Sequence, residues 1–333
     1  MGHQQTSDRK KDHIDLAFKS SVGIQDSRFY YEPLFDGHPS GDLSEISFVG
    51  KKMRAPIWIS SMTGGTKEAA TINKNLARAC GQFGLGMGLG SCRIILENDE
   101  FLADFQLRKF VNNAPLYANL GIAQLEEIFD ANKSALVKEL INKTETDGLI
   151  IHVNPLQEWL QPEGDFFKKS PISTIKKALD LGINIIVKEV GQGFGPDSLR
   201  ELMKLPLSAI DFGAHGGTNF SMLEMHRTKE IRQEAYEKVS HWGHSAEEMV
   251  GFHNCLLEEL EGQHCNPDII ISGGVRDFMD GHYLTEKSHA NSIYGQASSF
   301  LKYARGDYAD LEEYTQLQIE GLKLARTYLK LRS

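Results

Sequence analysis

GLIIHVNPLQEWLQPEGD, residues 148 to 165, is the stretch on which the fold turns. Gly148 to Val153 is a short β-favouring apolar run, and it empties directly into His152, Asn154, Gln157, Glu158, Glu163 and Asp165. Buried polar groups left without partners cost roughly 1–3 kcal/mol each, so packing alone has no use for so many at the end of one strand. A site for a polar or anionic ligand, with a metal ion, uses all of them.

Seven more runs of the same kind lie along the chain: 56–62, 85–91, 116–121, 184–190, 209–215, 268–274 and 292–298. The gaps hold helical patterns. Ala69, Ile72, Leu76, Ala79 and Phe83 recur at helical spacing within 66–83, as do Ile172, Ile175, Ala178 and Leu181 within 171–181. Ser245 followed by Glu248 reads as a capping box ahead of another helix. Near-continuous apolar strands alternating with helices form parallel sheets covered on both faces, and eight units predict a (β/α)8 TIM barrel; an open doubly wound sheet is the alternative. Polar or glycine-rich residues recur at the C-terminal ends of the runs, where barrel enzymes build their sites. The chain therefore reads as a single domain over 1–333, with residues 1–50 as an N-terminal extension and a long charged loop after the sixth strand, from Gly216 to Ser245. That loop suits a lid or a packing insert equally.

The 333 residues are 41% hydrophobic and 24% charged, enough to bury a sizeable core. With 45 Asp+Glu against 36 Lys+Arg, the net charge of −9 argues against nucleic acid or an anionic membrane as the main partner. No signal-like or membrane-length apolar run is present, which predicts a cytoplasmic protein. Cys80, Cys92, Cys255 and Cys265 are dispersed and read as reduced thiols. His241, His244, His253, Cys255, His264 and Cys265 lack metal-site spacing and read as residues of a surface helix.

Gly273-Gly274-Val275-Arg276 and Gly295-Gln296-Ala297 end the last two runs. In a barrel these loops present backbone N–H groups to a phosphate, which predicts a phosphate-bearing cofactor; tight turns alone are the alternative. Thr63-Gly64-Gly65, Asn119, Lys188 and Thr218 suit the edges of a flat heteroaromatic ring, and an inward lysine beside a flavin stabilises its anionic reduced form. Lys188 could instead pair with Glu189 or Glu224. GQGFG, residues 191 to 195, lacks the GxGxxG spacing of a dinucleotide fold. Arg9, Lys10, Lys11 and His13 make a basic cluster that alone reads as a solvated tail. Together with Arg93, His152, Asn154 and Gln157 it suits a diphosphate clamp, Glu158 holding magnesium against phosphate oxygens.

RKKDHI (9–14), SSMTGGT (60–66), GLGSCR (88–93), ANLG (118–121), HVNPLQEWLQPEGD (152–165), VKEVGQGF (187–194), GGTNF (216–220) and SGGVR (272–276) resemble, in order, the signature of type 2 isopentenyl diphosphate isomerase. The resemblance implies a barrel enzyme that interconverts isopentenyl and dimethylallyl diphosphate through reduced FMN, with Mg2+ and with NADPH only as reductant of the flavin. It implies that the anionic reduced ring faces developing carbocation character and exchanges the proton. Gln157 would act beside the reacting carbons; Arg9, Lys10, Arg93, His152, Asn154 and Gln157 would bind substrate; Glu158 would bind the metal. Met62, Thr63, Gly64, Ser91, Asn119, Lys188, Thr218, Gly273, Gly274, Arg276, Gln296 and Ala297 would surround FMN. The family also implies a homo-oligomer, for which Leu311, Tyr314, Leu317, Leu322 and Tyr328 offer a contact or simply pack on the barrel. Competing readings are an FMN-dependent oxidoreductase of the hydroxy-acid oxidase type and a flavin-binding barrel without catalysis.

Overall fold

Eight parallel strands close on themselves in chain order: β1 (Ile57–Ile59), β2 (Gly86–Gly88), β3 (Leu116–Gly121), β4 (Leu149–Val153), β5 (Ile185–Glu189), β6 (Ala209–Asp211), β7 (Asp268–Ser272) and β8 (Ser292–Gln296), with β8 returning to β1. The structure, a computed structural model, describes residues 13, 16–17, 19–20, 23–60, 67–96 and 98–332. All eight expected runs are barrel strands, each shorter than or equal to its run.

Strand alternation sorts the side chains. Trp58, Tyr117, Ile150, Ile186, Ile270 and Ile293 share one buried cluster inside the barrel, while Leu149, Ile151, Ile185 and Val187 belong to the larger cluster between strands and helices. Two residues further along β4 and β5, the same inward rows reach His152 and Lys188. Register pairs His152 with Lys188, and Lys188 with Asp211 on β6. One ring of the barrel thus changes from apolar to ionisable within a single pleat.

The other end is plugged. An antiparallel hairpin of Ile46–Phe48 and Lys51–Met53 sends Phe48 and Met53 into the interior cluster, with the Phe48 ring 6.3 Å from Trp58. Its turn places Val49 at φ 45° and Gly50 at φ 78°, and a β-branched residue is strained there. The Val49 N–H donates to Asp268 Oδ2 at 2.6 Å, and Lys51 pairs with Asp147 Oδ1 at 2.6 Å, so both strand starts anchor the turn. The extension is therefore part of the barrel core from Ile46 onward. Further back, Phe29–Tyr31 pairs antiparallel with Leu329–Leu331, tying the two ends of the described chain together.

The expected helices form at Lys67–Phe83 and Pro171–Leu179, the latter with Pro at its first turn, where the missing N–H has no consequence. Ser245 caps the helix Ala246–Glu259: its Oγ accepts from the Glu248 N–H at 3.2 Å, and Glu248 Oε2 accepts from the Ser245 N–H at 2.8 Å. Between Gly216 and Ser245 lie the helices Phe220–His226 and Glu230–Tyr236 and a 3-10 turn, Glu237–His241. In the C-terminal helix Tyr308–Tyr328, Leu311 and Leu322 are buried in the core, whereas Leu317 is exposed. Among the described residues no helix is long and apolar enough to cross a membrane.

Removing the plug's ring, Phe48→Ala, is expected to lower stability by about 3–5 kcal/mol, the usual result of deleting a buried aromatic side chain. Ser245→Ala should cost about 1 kcal/mol. Urea unfolding midpoints check both; an unshifted midpoint for Phe48→Ala would remove the hairpin from the core.

Candidate functional site

The end of β4 builds the first half of the site. Asn154 sits at the N-cap of the short helix Pro155–Leu160, but its side chain makes no cap hydrogen bond. Its Nδ2 donates instead to Gln157 Oε1 at 3.1 Å and to Glu158 Oε1 at 2.9 Å, since residues three and four along a helix lie above it. Glu158 is 8% exposed, and its Oε2 accepts the Asp165 N–H at 2.8 Å, folding the PEGD segment back over the helix. Gly164 is required there, because a Cβ would lie 1.9 Å from the Glu158 carbonyl oxygen. Asp165 in turn accepts from Arg93 Nη1 at 2.6 Å and from Gln124 Nε2 at 3.2 Å. Arg93, from the 3-10 turn after β2, is thereby brought beside the β4 cluster.

Below this layer, His152 Nδ1 lies 2.7 Å from Asn119 Oδ1, and Asn119 Nδ2 donates to the Leu89 carbonyl at 3.1 Å. With its amide N–H used there, Asn119 presents oxygen to the ring, so Nδ1 carries the proton and Nε2 stays an acceptor. Burial, followed by the Lys188 charge, pushes the His152 pKa down to about 4. The imidazole is neutral at pH 7.

Lys188 has a partner the sequence did not suggest. Its Nζ lies 3.1 Å from Asp211 Oδ2, a carboxylate with 0% exposure, whose other oxygen accepts from Ser272 Oγ; Ser272 Oγ accepts the Gly213 N–H at 2.9 Å. Glu189 and Glu224, the two carboxylates weighed for Lys188, are engaged elsewhere. Glu189 Oε2 accepts the N–H groups of Gly191, Gln192 and Gly193 at 2.8, 2.6 and 2.8 Å, and burial raises its pKa. GQGFG is thus a turn wrapped on the carboxylate of its own strand. Glu224, on the insert helix Phe220–His226, accepts from Gln157 Nε2 at 3.4 Å and from Arg227 Nη1 at 2.6 Å, while Arg227 also pairs with Glu163. Arg232 donates to the Trp159 carbonyl at 2.8 Å. The long loop after β6 is a helical insert docked on the helix that carries Gln157.

A cavity opens over the ends of β5 to β8 and β1, lined by Ser60, Lys188, Thr218, Gly273, Gly274, Arg276 and Ala297 among others. Gly273 at φ 93° lies so close to β6 that a Cβ would meet the Ala214 carbonyl oxygen at 2.1 Å. Ser60 Oγ is buried at the wall with no partner among the described residues, and Ala297 provides no side-chain cap to the helix Ser298–Ala304. Bare backbone, a lone hydroxyl and an amine fit a flat, phosphate-bearing cofactor. Arg276 reaches this rim held by Asp280, whose Oδ2 accepts from Arg276 Nε at 2.9 Å. Asn119, Ser91 and Gln296 do not line the cavity. Arg9, Lys10, Met62, Thr63 and Gly64 lie outside the described residues. Among the described residues no three His, Cys, Asp or Glu side chains gather as a metal cage, and His253 is buried in its helix, not on a surface face as expected.

The fold and this face define a (β/α)8 barrel with a glycine-lined cavity at its last strands and a polar cluster at the fourth. No family model matches the chain. Solved barrels superpose on it: a flavocytochrome b2 variant with sulfite bound, at TM-score 0.59 and 16% identity over 90% of this chain and 72% of that one, and a mandelate oxidase variant with a monooxide FMN adduct, at 0.55 and 13% over 92% and 88%. Curated relatives are nearer in sequence. Isopentenyl-diphosphate delta-isomerases of Rickettsia typhi, Rickettsia felis and a Nostoc species are 34%, 33% and 32% identical over 97%, 95% and 95% of this chain and 94%, 91% and 89% of their own. The chain belongs to the isopentenyl-diphosphate delta-isomerase family.

His152 and His253 both have pKa values lowered from 6.5 to about 4, chiefly by burial. The unfolded chain takes these protons first, so the contribution of these two histidines to stability is expected to fall as pH drops from about 6.5 towards 4. Unfolding midpoints across that window check the sign, and His253→Gln should make the slope shallower.

Proposed function

We propose that the chain interconverts isopentenyl and dimethylallyl diphosphate as a type 2, FMN-dependent isomerase with no net redox change. One observation carries the reading: Asn154 holds Gln157 and Glu158 side by side at the end of β4, and His152 shares a strand row with Lys188 at the cofactor cavity.

Each part of that arrangement has a task. Arg93, His152 and Asn154, with Arg9 and Lys10, bind the diphosphate. Glu158 would hold magnesium through one carboxylate beside the diphosphate, where the ion would offset phosphate charge without an all-protein cage. Lys188, Thr218, Gly273, Gly274, Arg276 and Ala297 line the FMN cavity, with Met62, Thr63, Gly64, Ser91, Asn119 and Gln296 assigned by family signature. When bound and reduced by NADPH, the flavin supplies an electron-rich face and an exchangeable proton against developing positive charge on a weakly basic alkene. Gln157 has no useful pKa, so its amide positions or relays, and Glu224 fixes which way that amide points. The insert that carries Glu224 packs against the helix that carries Gln157. The chain's few dispersed cysteines suit the cytoplasm, and the family resemblance supports a homo-oligomer.

Anaerobic incubation of isopentenyl diphosphate with protein, FMN, magnesium and catalytic NADPH is expected to yield dimethylallyl diphosphate by NMR. Absence of product with FMN bound, and flavin reduction by an α-hydroxy acid, would turn the assignment to the oxidase. Gln157→Ala should lower kcat roughly 10²–10⁴-fold, the range for a lost proton-handling group, with FMN retained. Glu158→Ala should abolish the magnesium requirement along with most activity, and unchanged metal dependence would remove its assigned role.

A further inference from the structure

Asp211 is the most deeply buried ionised group on the active face, and no task has been assigned to it. It stands on β6, level with Lys188 on β5, inside the barrel immediately above the apolar row of Ile186 and Ala209. Its two oxygens are divided: one lies 3.1 Å from Lys188 Nζ, and the other takes the Ser272 hydroxyl. Ser272 is itself locked by the Gly213 N–H, so the carboxylate cannot swing away. Lys188 and Ser272 both line the cofactor cavity, whereas Asp211 does not. The carboxylate reaches that cavity only through them.

We propose that Asp211 is a positioning residue that keeps Lys188 aimed into the cavity and counter-charged in both oxidation states of the flavin, and so holds down the flavin's reduction potential. The proposal rests on the flavin reading of the cavity. An ammonium as little exposed as that of Lys188 needs a counter-charge. When the ring is oxidised and neutral, Asp211 is the only anion paired with Lys188 among the described residues. When the ring is reduced and anionic, Lys188 has two. Without Asp211 the oxidised state would carry an uncompensated amine and the reduced state would not, so reduction would become more favourable. An isomerase that changes no oxidation state still depends on this balance, because the same field sets how readily the reduced ring gives up and takes back a proton.

The test is a dithionite potentiometric titration of FMN-loaded protein in four forms: wild type, Asp211→Asn, Lys188→Met and the double variant. Asp211→Asn is expected to bind reduced FMN relative to oxidised FMN at least tenfold more favourably than wild type does, a positive shift of about 30 mV for a two-electron couple. Lys188→Met should shift the potential the other way, and Asp211→Asn should have little further effect in that background, since its action runs through the amine. Ser272→Ala, which frees the carboxylate from its second partner and loosens its hold on Lys188, gives a smaller positive shift and serves if Asp211→Asn does not fold. Retained FMN with an unmoved potential in Asp211→Asn, or an equal shift with and without Lys188, would overturn the proposal alone. Failure of the wild-type protein to retain FMN would overturn the flavin reading and this proposal with it.

Discussion

Everything at the open end of this barrel depends on pairing one ammonium, Lys188, with the buried carboxylate of Asp211. The apolar row of Ile150, Ile186 and Ala209 lies one pleat below it, and a charge placed beside that row without a partner is costly. Asp211 and Ser272 meet that need from β6 and β7, the next two strands round. Because Lys188 is held from that side, its opposite side is free to face the cavity. Its charge also acts across the register on His152, and together with burial keeps that ring neutral.

The remaining order of the face follows from strands ending at nearly the same height. On the β4 side the chain turns at once into a helix, so Gln157 and Glu158 stack over Asn154 and their hydrogen bonds to it are local. On the β6 and β7 side the chain does the opposite. It runs as bare glycine, Gly216-Gly217 against Gly273-Gly274, close enough that no Cβ fits at Gly273. One side of the mouth is therefore rich in side chains and suits a small anionic substrate; the other is rich in backbone and suits a phosphate-bearing cofactor. The insert after β6 joins the two, since it leaves the glycine loop and docks Glu224 against Gln157.

Much of this was legible in the chain before any coordinates. Eight apolar runs with polar ends are a local property, because a strand buried on both faces must be apolar along its length and can be polar only where it emerges. The Ser245 to Glu248 capping box was legible for the same reason, its two hydrogen bonds spanning four residues. The hairpin plug was not. Ile46–Phe48 and Lys51–Met53 are three residues each, and what makes them core is Trp58 and Tyr117 from strands that pack above them. The burial of His253 was hidden similarly, since a helical pattern does not reveal what packs on it.

The sequence by itself determined the repeat, the barrel, the face that carries the chemistry and the cluster His152, Asn154, Gln157 and Glu158, because each of these is written in short-range spacing. Only the tertiary structure decided which carboxylate Lys188 pairs with, choosing Asp211, twenty-three positions away in the chain, over its own neighbour Glu189. The reason is the alternation of strands. Glu189 follows Lys188 and so points to the other face of the sheet, where backbone N–H groups wait for it. Asp211 shares Lys188's face and height, and the closed barrel brings the two opposite charges together there.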